Sequence, residues 1–479
     1  MESIWSKTTQ LPAQPSLPGD LSVEAAVIGG GMAGLLTAYL LQEKGIEAVV
    51  LEADRVAGGQ TKNTTAKITS QHGLIYTKLT RQFGAERAGQ YARANQRAIG
   101  EYRRLIEALE ADCGFEICPA YLYSGVEEDC LREEAEAAQS LGIPAEFTTE
   151  TELPFPVKGA VRFDGQGRFH PLRFLEAVLP KVTVYENTRV TEVKGDKIRT
   201  ERGTVRAKHI VFATHYPFVN FPGYYFLRMH QERSYVLALE NALLPGGMYY
   251  GVDEGGLSLR TAGDCLLLGG GGHRTGENRK GGRYDLLRQA AVEYWPESRE
   301  VGHWSAQDCM THDSVPYIGH YASGTEGWYV ATGFGKWGMT GSMVSAMLLS
   351  DLITGRDNPD ADVFCPQRFD LPANAKNLLE DGKQTVKSLS RQIFTGGRAL
   401  VEDLPAGHGG VVEVDGEKMG AYRDESGELF LVSTRCPHLG CQLEWNPDEK
   451  SWDCPCHGSR FDHRGNRISG PAQTCLERD

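Results

Sequence analysis

Two cysteine–histidine pairs near the end of the chain have the spacing of a metal site. Cys436 and His438 are separated by one residue, Cys454 and His457 by two, and residues 439–453 lie between the pairs. Two thiolates and two imidazoles are a ligand set that suits tetrahedral zinc. A zinc finger places its histidines together on a helix, whereas these loops are rich in Pro and Gly. The four residues therefore predict a metal centre, and their spacing alone leaves the metal open.

The residues around these pairs resemble the two ligand loops of Rieske proteins. The similar stretches are "CPHLGC" (436–441) and "CPCHGS" (454–459). The resemblance implies that the two cysteines hold one iron of a [2Fe–2S] cluster and that the two histidines hold the other. It also implies a disulfide between Cys441 and Cys456 that joins the loops, and a hydrogen bond from the Ser459 hydroxyl to a cluster sulfur. Zinc is the alternative at these ligands.

The front of the chain carries a second pattern, which predicts a dinucleotide-binding unit. An apolar strand, a glycine turn, a helix and a second strand follow each other within residues 23–55. Gly29 makes the tight turn, Gly31 lets the backbone approach a pyrophosphate, and Gly34 lets the helix pack on the strand. The helix N-terminus supplies free amide donors to the phosphates. Glu52 ends the second strand, where it can accept hydrogen bonds from ribose hydroxyls.

Five further stretches resemble, in the same order, the D-amino-acid oxidase-like family of FAD oxidoreductases. They are "ADRVAGGQTKNTTAKIT" (53–69), "GRFHPLRFLEAV" (167–178), "HIVFATHYPF" (209–218), "MTHDSVPYIG" (310–319) and "GWYVATGFGKWGMTGSMVSAMLLSDLITG" (327–355). The resemblance covers residues 23–375. It implies FAD as the cofactor and an α/β fold, in which a Rossmann-like FAD-binding domain carries an inserted α+β substrate domain.

The resemblance also implies which residues bind FAD, beyond the three glycines of the turn and Glu52. These residues follow the glycine turn, the second strand, the strand at 209–213 and the last glycine loop. They are Met32, Ala33, Ala53, Gly59, Gln60, Thr61, Thr65, Ala66, Ala213, Thr214, Gly333, Gly335, Lys336, Trp337, Gly338, Met339 and Thr340.

One departure from the family pattern concerns the substrate. Amino-acid-oxidising members often carry W-x-G-x-R-P ahead of T-x-D, and its Arg binds the substrate carboxylate. This chain reads "WSAQDCMTHD" there, so Asp308 stands where the Arg would be. The negative charge of Asp308 would repel a substrate carboxylate, so this residue predicts a cationic substrate such as a primary or secondary amine. Alternatively, Asp308 pairs with an Arg or caps a turn. Lys336 and Trp337 are expected to line the substrate pocket or to pack beneath it.

The patterns together predict three folded parts: a nucleotide-binding part and a substrate domain, which form the oxidoreductase, and a Rieske domain. An arm precedes them, and a linker separates the oxidoreductase from the Rieske domain. The expected order is an N-terminal arm (1–22), an oxidoreductase (23–375), a linker (376–397) and an all-β Rieske domain (398–479). We expect the nucleotide-binding part of the oxidoreductase to use residues 23–110, 160–220 and 305–375, and the substrate domain to use residues 111–159 and 221–304.

Composition limits the class of protein. The chain has 479 residues and a net charge of −13, which argues against nucleic acid or an anionic membrane as a partner. It shows no signal peptide and no run of 18 apolar residues, so we expect no membrane span. Four of the 11 cysteines lie within residues 436–456. A cytoplasmic protein with one local metal site fits this distribution better than a disulfide framework does.

These observations predict an FAD-dependent dehydrogenase with a small-molecule substrate. Hydride would pass to flavin, and electrons would leave singly through the cluster to an external acceptor, either a protein or a quinone-like molecule. An alternative is an electron-transfer protein that is reduced by NAD(P)H and serves a partner oxygenase. Only the G-x-G-x-x-G at residues 29–34 is followed by a helix and a second strand that ends in an acidic residue. The second match, at residues 333–338, lies in the last glycine loop and lacks such a strand, so the alternative is disfavoured. A Rieske oxygenase would also need a mononuclear iron site, and the histidines lack its D-x-x-H-x-x-x-x-H spacing.

Overall fold

The structure is a computed structural model that describes residues 2–368, 401–414 and 416–478. The helices of this described part are α1 (Ile4–Thr8), α2 (Met32–Glu43), α3 (Ile75–Ala108), α4 (Asp129–Ser140), α5 (Pro171–Val178), α6 (Arg283–Tyr294) and α7 (Gly338–Ile353). The predicted linker, residues 376–397, lies outside the described residues.

The strands of the oxidoreductase are β1 (Leu21–Ile28), β2 (Ala48–Leu51), β3 (Lys67–Ile68), β4 (Glu116–Ser124), β5 (Ala145–Thr148), β6 (Gly159–Arg168), β7 (Thr183–Tyr185), β8 (Val190–Lys194), β9 (Lys197–Thr200), β10 (Gly203–Phe212), β11 (Met229–Glu240), β12 (Met248–Gly251), β13 (Ser258–Ala262), β14 (Cys265–Arg274), β15 (Arg299–Thr311), β16 (Tyr317–His320) and β17 (Trp328–Thr332). Those of the C-terminal part are β18 (Gly409–Val414), β19 (Glu417–Arg423), β20 (Leu429–Ser433), β21 (Glu444–Asn446), β22 (Ser451–Asp453), β23 (Arg460–Asp462) and β24 (Arg467–Ser469).

The first sheet has the Rossmann-like topology that the glycine turn predicts. Its central path runs β16-β17-β10-β1-β2-β7, and all neighbours from β17 to β7 pair in parallel. Residues Ala25–Ile28 at the end of β1 are buried, as a parallel strand covered on both faces must be. Helices α2 and α7 pack together beside it, and α2 ends where Gly45 adopts φ 82°. The expected α/β class is confirmed.

The second sheet has the order β15-β11-β14-β13-β12-β4-β6-β3, with β5 beside β6, and contains most of the strands of the predicted substrate domain. Its membership differs from the predicted division of the chain. The prediction places residues 67–68, 160–168 and 305–311 in the nucleotide-binding part. In the structure β3 pairs with β6, β6 pairs with β4, and β15 pairs along its length with β11. An apolar strand pattern shows that a strand is buried but not which sheet takes it, so the pairing partner decided this division.

The C-terminal part consists of small antiparallel sheets, as expected for a Rieske domain. One sheet has the order β18-β19-β20 and the other β21-β22-β23-β24. The turn between β21 and β22 reaches into the substrate domain. There the Asp448 carboxylate accepts hydrogen bonds from the backbone amides of Gly282 and Arg283, both at 3.0 Å. Asp448 therefore caps the N-terminus of α6 from another domain. Among the described residues, no helix has the length and apolarity to cross a membrane.

Candidate active site and metal centre

A cavity of about 630 Å³ is lined by residues from both large sheets. This volume lies within the usual range for small-molecule and cofactor sites. Most residues that the sequence predicts for FAD line it together. They are Gly29, Gly31, Met32, Ala33, Glu52, Ala53, Gly59, Gln60, Thr61, Thr65, Ala213, Thr214, Gly335, Lys336, Trp337, Gly338 and Met339.

Four predicted FAD residues lie behind this wall. A Cβ on Gly34 would collide with the carbonyl oxygen of Gly29, so Gly34 permits the close helix–strand approach. Thr340 Oγ1 accepts a hydrogen bond from Thr69 N at 3.0 Å and donates one to Thr69 O at 2.8 Å. Ala66 and Gly333 have φ of 56° and 77° and shape the loops next to the cavity. These residues position the wall of the cavity rather than form it.

One end of the cavity has the chemistry that a nucleotide needs. Glu52 Oε2 accepts a hydrogen bond from Gly30 N at 2.7 Å, and Thr61 Oγ1 accepts one from Met32 N at 3.0 Å. These bonds hold the glycine turn against the second strand and the loop at 59–65. The N-terminus of α2 therefore faces the cavity beside a carboxylate, as a bound pyrophosphate and ribose require.

The other end of the cavity carries a cluster of charged side chains. Asp308 lines the cavity, and its carboxylate makes no hydrogen bond or ion pair with the described residues. Burial raises the pKa of Asp308 to about 6, with Glu232 adding to the shift and Lys336 opposing it. Lys336 Nζ instead pairs with Glu232 Oε2 at 3.1 Å. His230 and Lys336 together lower the pKa of Glu232 to about 2.

Trp337 both lines the cavity and packs against its surroundings. Its ring stacks on His72 with centroids 4.8 Å apart and meets Tyr250 edge-on at 5.3 Å. His72 is buried, which lowers its pKa to about 3, so a neutral imidazole supports the indole. The aromatic stack fixes the loop that carries Lys336.

Lys67 is a cavity residue that the sequence analysis missed. Its side chain is buried, and Nζ donates to Tyr249 O at 3.0 Å and to Ser258 Oγ at 2.5 Å. Burial lowers the pKa of Lys67 to about 7, with Arg260 contributing. The signal was a charged residue inside the otherwise uncharged stretch "TTAKIT", since a lysine is rarely buried unless it has a polar partner.

The C-terminal domain brings the four predicted metal ligands together. Cys436 and Cys454 are buried, and Cys454 lies close enough to Cys436 to lower the pKa of the Cys436 thiol. The rings of His438 and His457 lie 4.9 Å apart at 88°. The two loops fold alike, because Gly440 N donates to Cys436 O at 2.8 Å and Gly458 N donates to Cys454 O at 2.9 Å. The two predicted cysteine ligands therefore meet across the two similar loops, and so do the two histidine rings.

The hydrogen bonding of the histidines fits a metal ligand set. Nε2 of His438 bonds Asn220 Oδ1 of the oxidoreductase at 2.9 Å. Nδ1 of His438 is buried and has no hydrogen-bond partner among the described residues. A buried ring nitrogen that no protein group satisfies is costly unless a metal takes its lone pair. The donor set thus has the chemistry of the predicted cluster, and Asn220 orients the His438 ring through Nε2.

The predicted supporting groups lie beside the ligands. Cys441 and Cys456 form a disulfide that joins the two loops. Ser459 Oγ accepts a hydrogen bond from Ala472 N at 3.0 Å, and Ser459 is among the groups that lower the pKa of Cys436. The hydrogen bond from Ser459 to a cluster sulfur stays a prediction.

Two glutamines connect the metal centre to the cavity. Gln231 Nε2 donates to His457 O at 2.6 Å, and Gln307 Nε2 donates to Gly458 O at 2.7 Å. The backbone amide of Gln307 in turn donates a hydrogen bond to Oε1 of the cavity residue Gln60, at 2.7 Å. A short hydrogen-bonded route thus runs from the cavity wall to the second ligand loop. The sequence analysis did not predict this route, because neither glutamine occupies a defined position of a motif.

Comparison with known proteins finds two families in this chain. The model of the FAD-dependent oxidoreductase family (DAO) matches residues 24–352, and that of the Rieske [2Fe-2S] domain matches residues 398–478. The putative Rieske 2Fe-2S iron-sulfur protein YhfW of Bacillus subtilis is 37% identical over 488 residues, which cover 98% of this chain and 96% of that protein.

Solved structures resemble the oxidoreductase part. Glycine oxidase from Geobacillus kaustophilus superposes with a TM-score of 0.62 at 18% identity, over 73% of this chain and 100% of that one. L-proline dehydrogenase from P. horikoshii gives a TM-score of 0.61 at 18% identity, over 74% and 98%. The predicted cofactors, FAD and a Rieske [2Fe–2S] cluster, are confirmed by the two family matches. The chain belongs to the DAO family of FAD-dependent oxidoreductases and carries a Rieske [2Fe–2S] domain at its C-terminal side.

Proposed function

We propose that this protein is a dehydrogenase that oxidises a small amine and delivers the electrons singly to an external acceptor. Bound FAD supplies a two-electron hydride acceptor, and the Rieske cluster supplies a one-electron carrier. The observation that carries the choice of an amine is the carboxylate of Asp308, which lines the cavity without a hydrogen bond or ion pair to any described side chain.

The charges around Asp308 favour a cationic substrate. Lys336 Nζ forms an ion pair with Glu232 Oε2 at 3.1 Å, so the positive charge of the ammonium and the negative charge of the Glu232 carboxylate cancel. When Asp308 is ionised, the group of three side chains therefore has a net negative charge. A substrate ammonium entering the cavity would compensate it, whereas a substrate carboxylate would be repelled.

Asp308 can also move a proton. A protonated amine has no free lone pair, and so it must lose a proton before its C–H bond can be oxidised. A carboxylate whose pKa lies near 6 is a stronger base than an ordinary aspartate and can accept this proton. Asp308 would then bind the substrate as an ammonium ion and hold the proton that the amine releases.

The structural neighbours support the reaction class. Their names concern amino acids, namely glycine, L-proline and L-amino acids in general, which all carry an oxidisable C–N bond. Because their identity to this chain is low, they support only the type of bond that is oxidised. The different charge at Asp308 is the reason to propose an amine without a required carboxylate.

The experiment is anaerobic flavin bleaching with a panel of amines, amino acids, hydroxy acids and NADH. We expect a primary or secondary amine to bleach the flavin fastest. Asp308→Asn should raise the KM for that amine at least about tenfold and, because Asn cannot accept the proton that a bound ammonium must lose, should also slow flavin reduction at saturation. Asp285→Asn is the control, because Asp285 is an exposed carboxylate on α6. Fastest bleaching by an acid or by NADH, with Asp308→Asn unchanged, would reject the proposal.

A further inference from the structure

The C-terminal domain contributes to the wall of the FAD cavity. Besides residues of the oxidoreductase, the cavity is lined by Arg467, Ile468, Ser469, Gly470, Pro471 and Gln473. We propose that the Rieske domain supplies part of the FAD site, with residues 467–473 covering the AMP half of the cofactor and Arg467 contacting it. This inference does not depend on the substrate of the enzyme.

The position of Arg467 identifies which half of FAD it faces. Its guanidinium lies 3.8 Å from Asp54 Oδ2, and Asp54 also pairs with Arg189 at 3.0 Å. Asp54 comes two residues after Glu52, the carboxylate that directly follows β2 at the ribose position. Arg467 and Arg189 therefore flank the end of the cavity where the adenosine diphosphate moiety binds.

The charge of this end fits such a ligand. Arg467 is largely buried, with 16% of its side chain exposed, and Arg189 is exposed by 21%. Burial lowers the pKa of Arg467, and Arg189 lowers it further, because two guanidinium groups lie close together. A diphosphate would compensate both, and the N-terminus of α2 adds free amide donors on the opposite side.

The same segment is fixed to the metal centre. Ala472 N donates to Ser459 Oγ at 3.0 Å, and β24 pairs with β23, which directly follows the second ligand loop. Gly470 O accepts a weaker bond of 3.4 Å from Gln231, the residue that also bonds His457 O at 2.6 Å. Residues 467–473 thus contact the FAD cavity on one side and the cluster loop on the other. Binding of FAD and docking of the Rieske domain must then favour each other.

The test uses full-length apoprotein that retains its cluster. FAD, ADP and riboflavin are titrated into the wild type, Arg467→Gln and Arg464→Gln, with flavin fluorescence and calorimetry as readouts. Arg464 is the matched control, because it is an exposed arginine in the turn before β24. For Arg467→Gln we expect the Kd of FAD and of ADP to rise together by roughly tenfold, equivalent to about 1.4 kcal/mol. The Kd of riboflavin, which lacks the AMP half, should not change, and Arg464→Gln should match the wild type.

Equal Kd values for FAD and ADP in the wild type and Arg467→Gln, with the cluster spectrum intact, would overturn the proposal. If Arg467→Gln loses its cluster, hydrogen exchange on the wild type decides. ADP should slow exchange of the amides of residues 467–473, and riboflavin should leave it unchanged. Exchange in this segment that does not respond to ADP would overturn the proposal as well. Because neither readout requires turnover, a failure here is distinct from a failure of the proposed amine oxidation.

Discussion

Arg233 of the substrate domain and Glu449 of the Rieske domain form a buried ion pair across the boundary between them, with Nη2 and Oε2 2.9 Å apart. The carboxylate also accepts hydrogen bonds from Tyr284 OH and Ser305 Oγ, both at 2.8 Å, and lies 3.3 Å from Arg460. A buried carboxylate with this many donors has a defined position. It therefore holds the ligand loops in one orientation relative to the FAD cavity.

We predict that Glu449→Leu destabilises the docked arrangement. The change leaves the buried Arg233 guanidinium without its counterion, which typically costs about 3–5 kcal/mol. Urea unfolding followed by cluster absorbance would measure it. Glu425→Leu is the control, because Glu425 is exposed and reaches Lys450 only at 3.8 Å, so it should cost no more than about 0.5 kcal/mol. Equal losses for the two variants would contradict a specific role for Glu449.

The same pair makes docking sensitive to acid. Burial alone would raise the pKa of Glu449, but Arg233 and Arg460 outweigh it and hold the pKa below its ordinary value. The stabilisation is therefore present above the ordinary glutamate pKa and is lost as the pH falls through the lower pKa of the folded protein. Glu449→Leu should remove this part of the acid sensitivity, visible as a flatter pH dependence of the urea midpoint between pH 5 and 3.

A pH profile tests the role of Asp308. Because burial raises its pKa to about 6, the carboxylate forms as the pH rises through 6. The second-order rate constant for flavin reduction by an amine that stays protonated should rise about tenfold for each pH unit below 6 and level off above it. Asp308→Asn should lack this limb. If the rate constant rises over the same pH range in the wild type and in Asp308→Asn, the titrating group is not Asp308.

Removal of either histidine ligand should separate the two cofactors. We expect His438→Ala and His457→Ala to lose the cluster iron and acid-labile sulfide while FAD absorbance remains. Without one imidazole, an iron loses half of its protein ligands. His408→Ala, a change elsewhere in the Rieske domain, should retain both cofactors. Iron and sulfide assays with EPR would measure this, and one zinc per chain without sulfide in the wild type would refute the cluster at these residues.

The disulfide between Cys441 and Cys456 should support cluster retention. It closes a loop with a sequence separation of 15 residues, and a loop of this length is worth about 3 kcal/mol in the chain-entropy description. Cys441→Ser should therefore release the cluster at lower urea concentration than the wild type does. Cys475→Ser, which removes an exposed free thiol of the same domain, should have no effect. Free thiols at both positions in intact holoprotein would contradict the prediction.

The sequence by itself determined the two cofactor-binding motifs. Gly29, Gly31 and Gly34 act within one turn, and the metal ligands lie on two loops of similar local fold. Such features depend on the backbone conformation of a few neighbouring residues, so residue type and spacing suffice to predict them. The order of further family-like stretches then predicted FAD and the fold class.

Tertiary structure alone decided which distant groups meet. Asn220 reaches His438, Arg233 reaches Glu449, and Lys336 is taken up by Glu232 instead of Asp308. The members of the first two pairs lie more than 200 positions apart, and nothing in their local sequence encodes the partner. Their contacts follow from how whole sheets and domains pack. The free energy gained by burying apolar surface depends on the area buried and does not select a particular pair of residues.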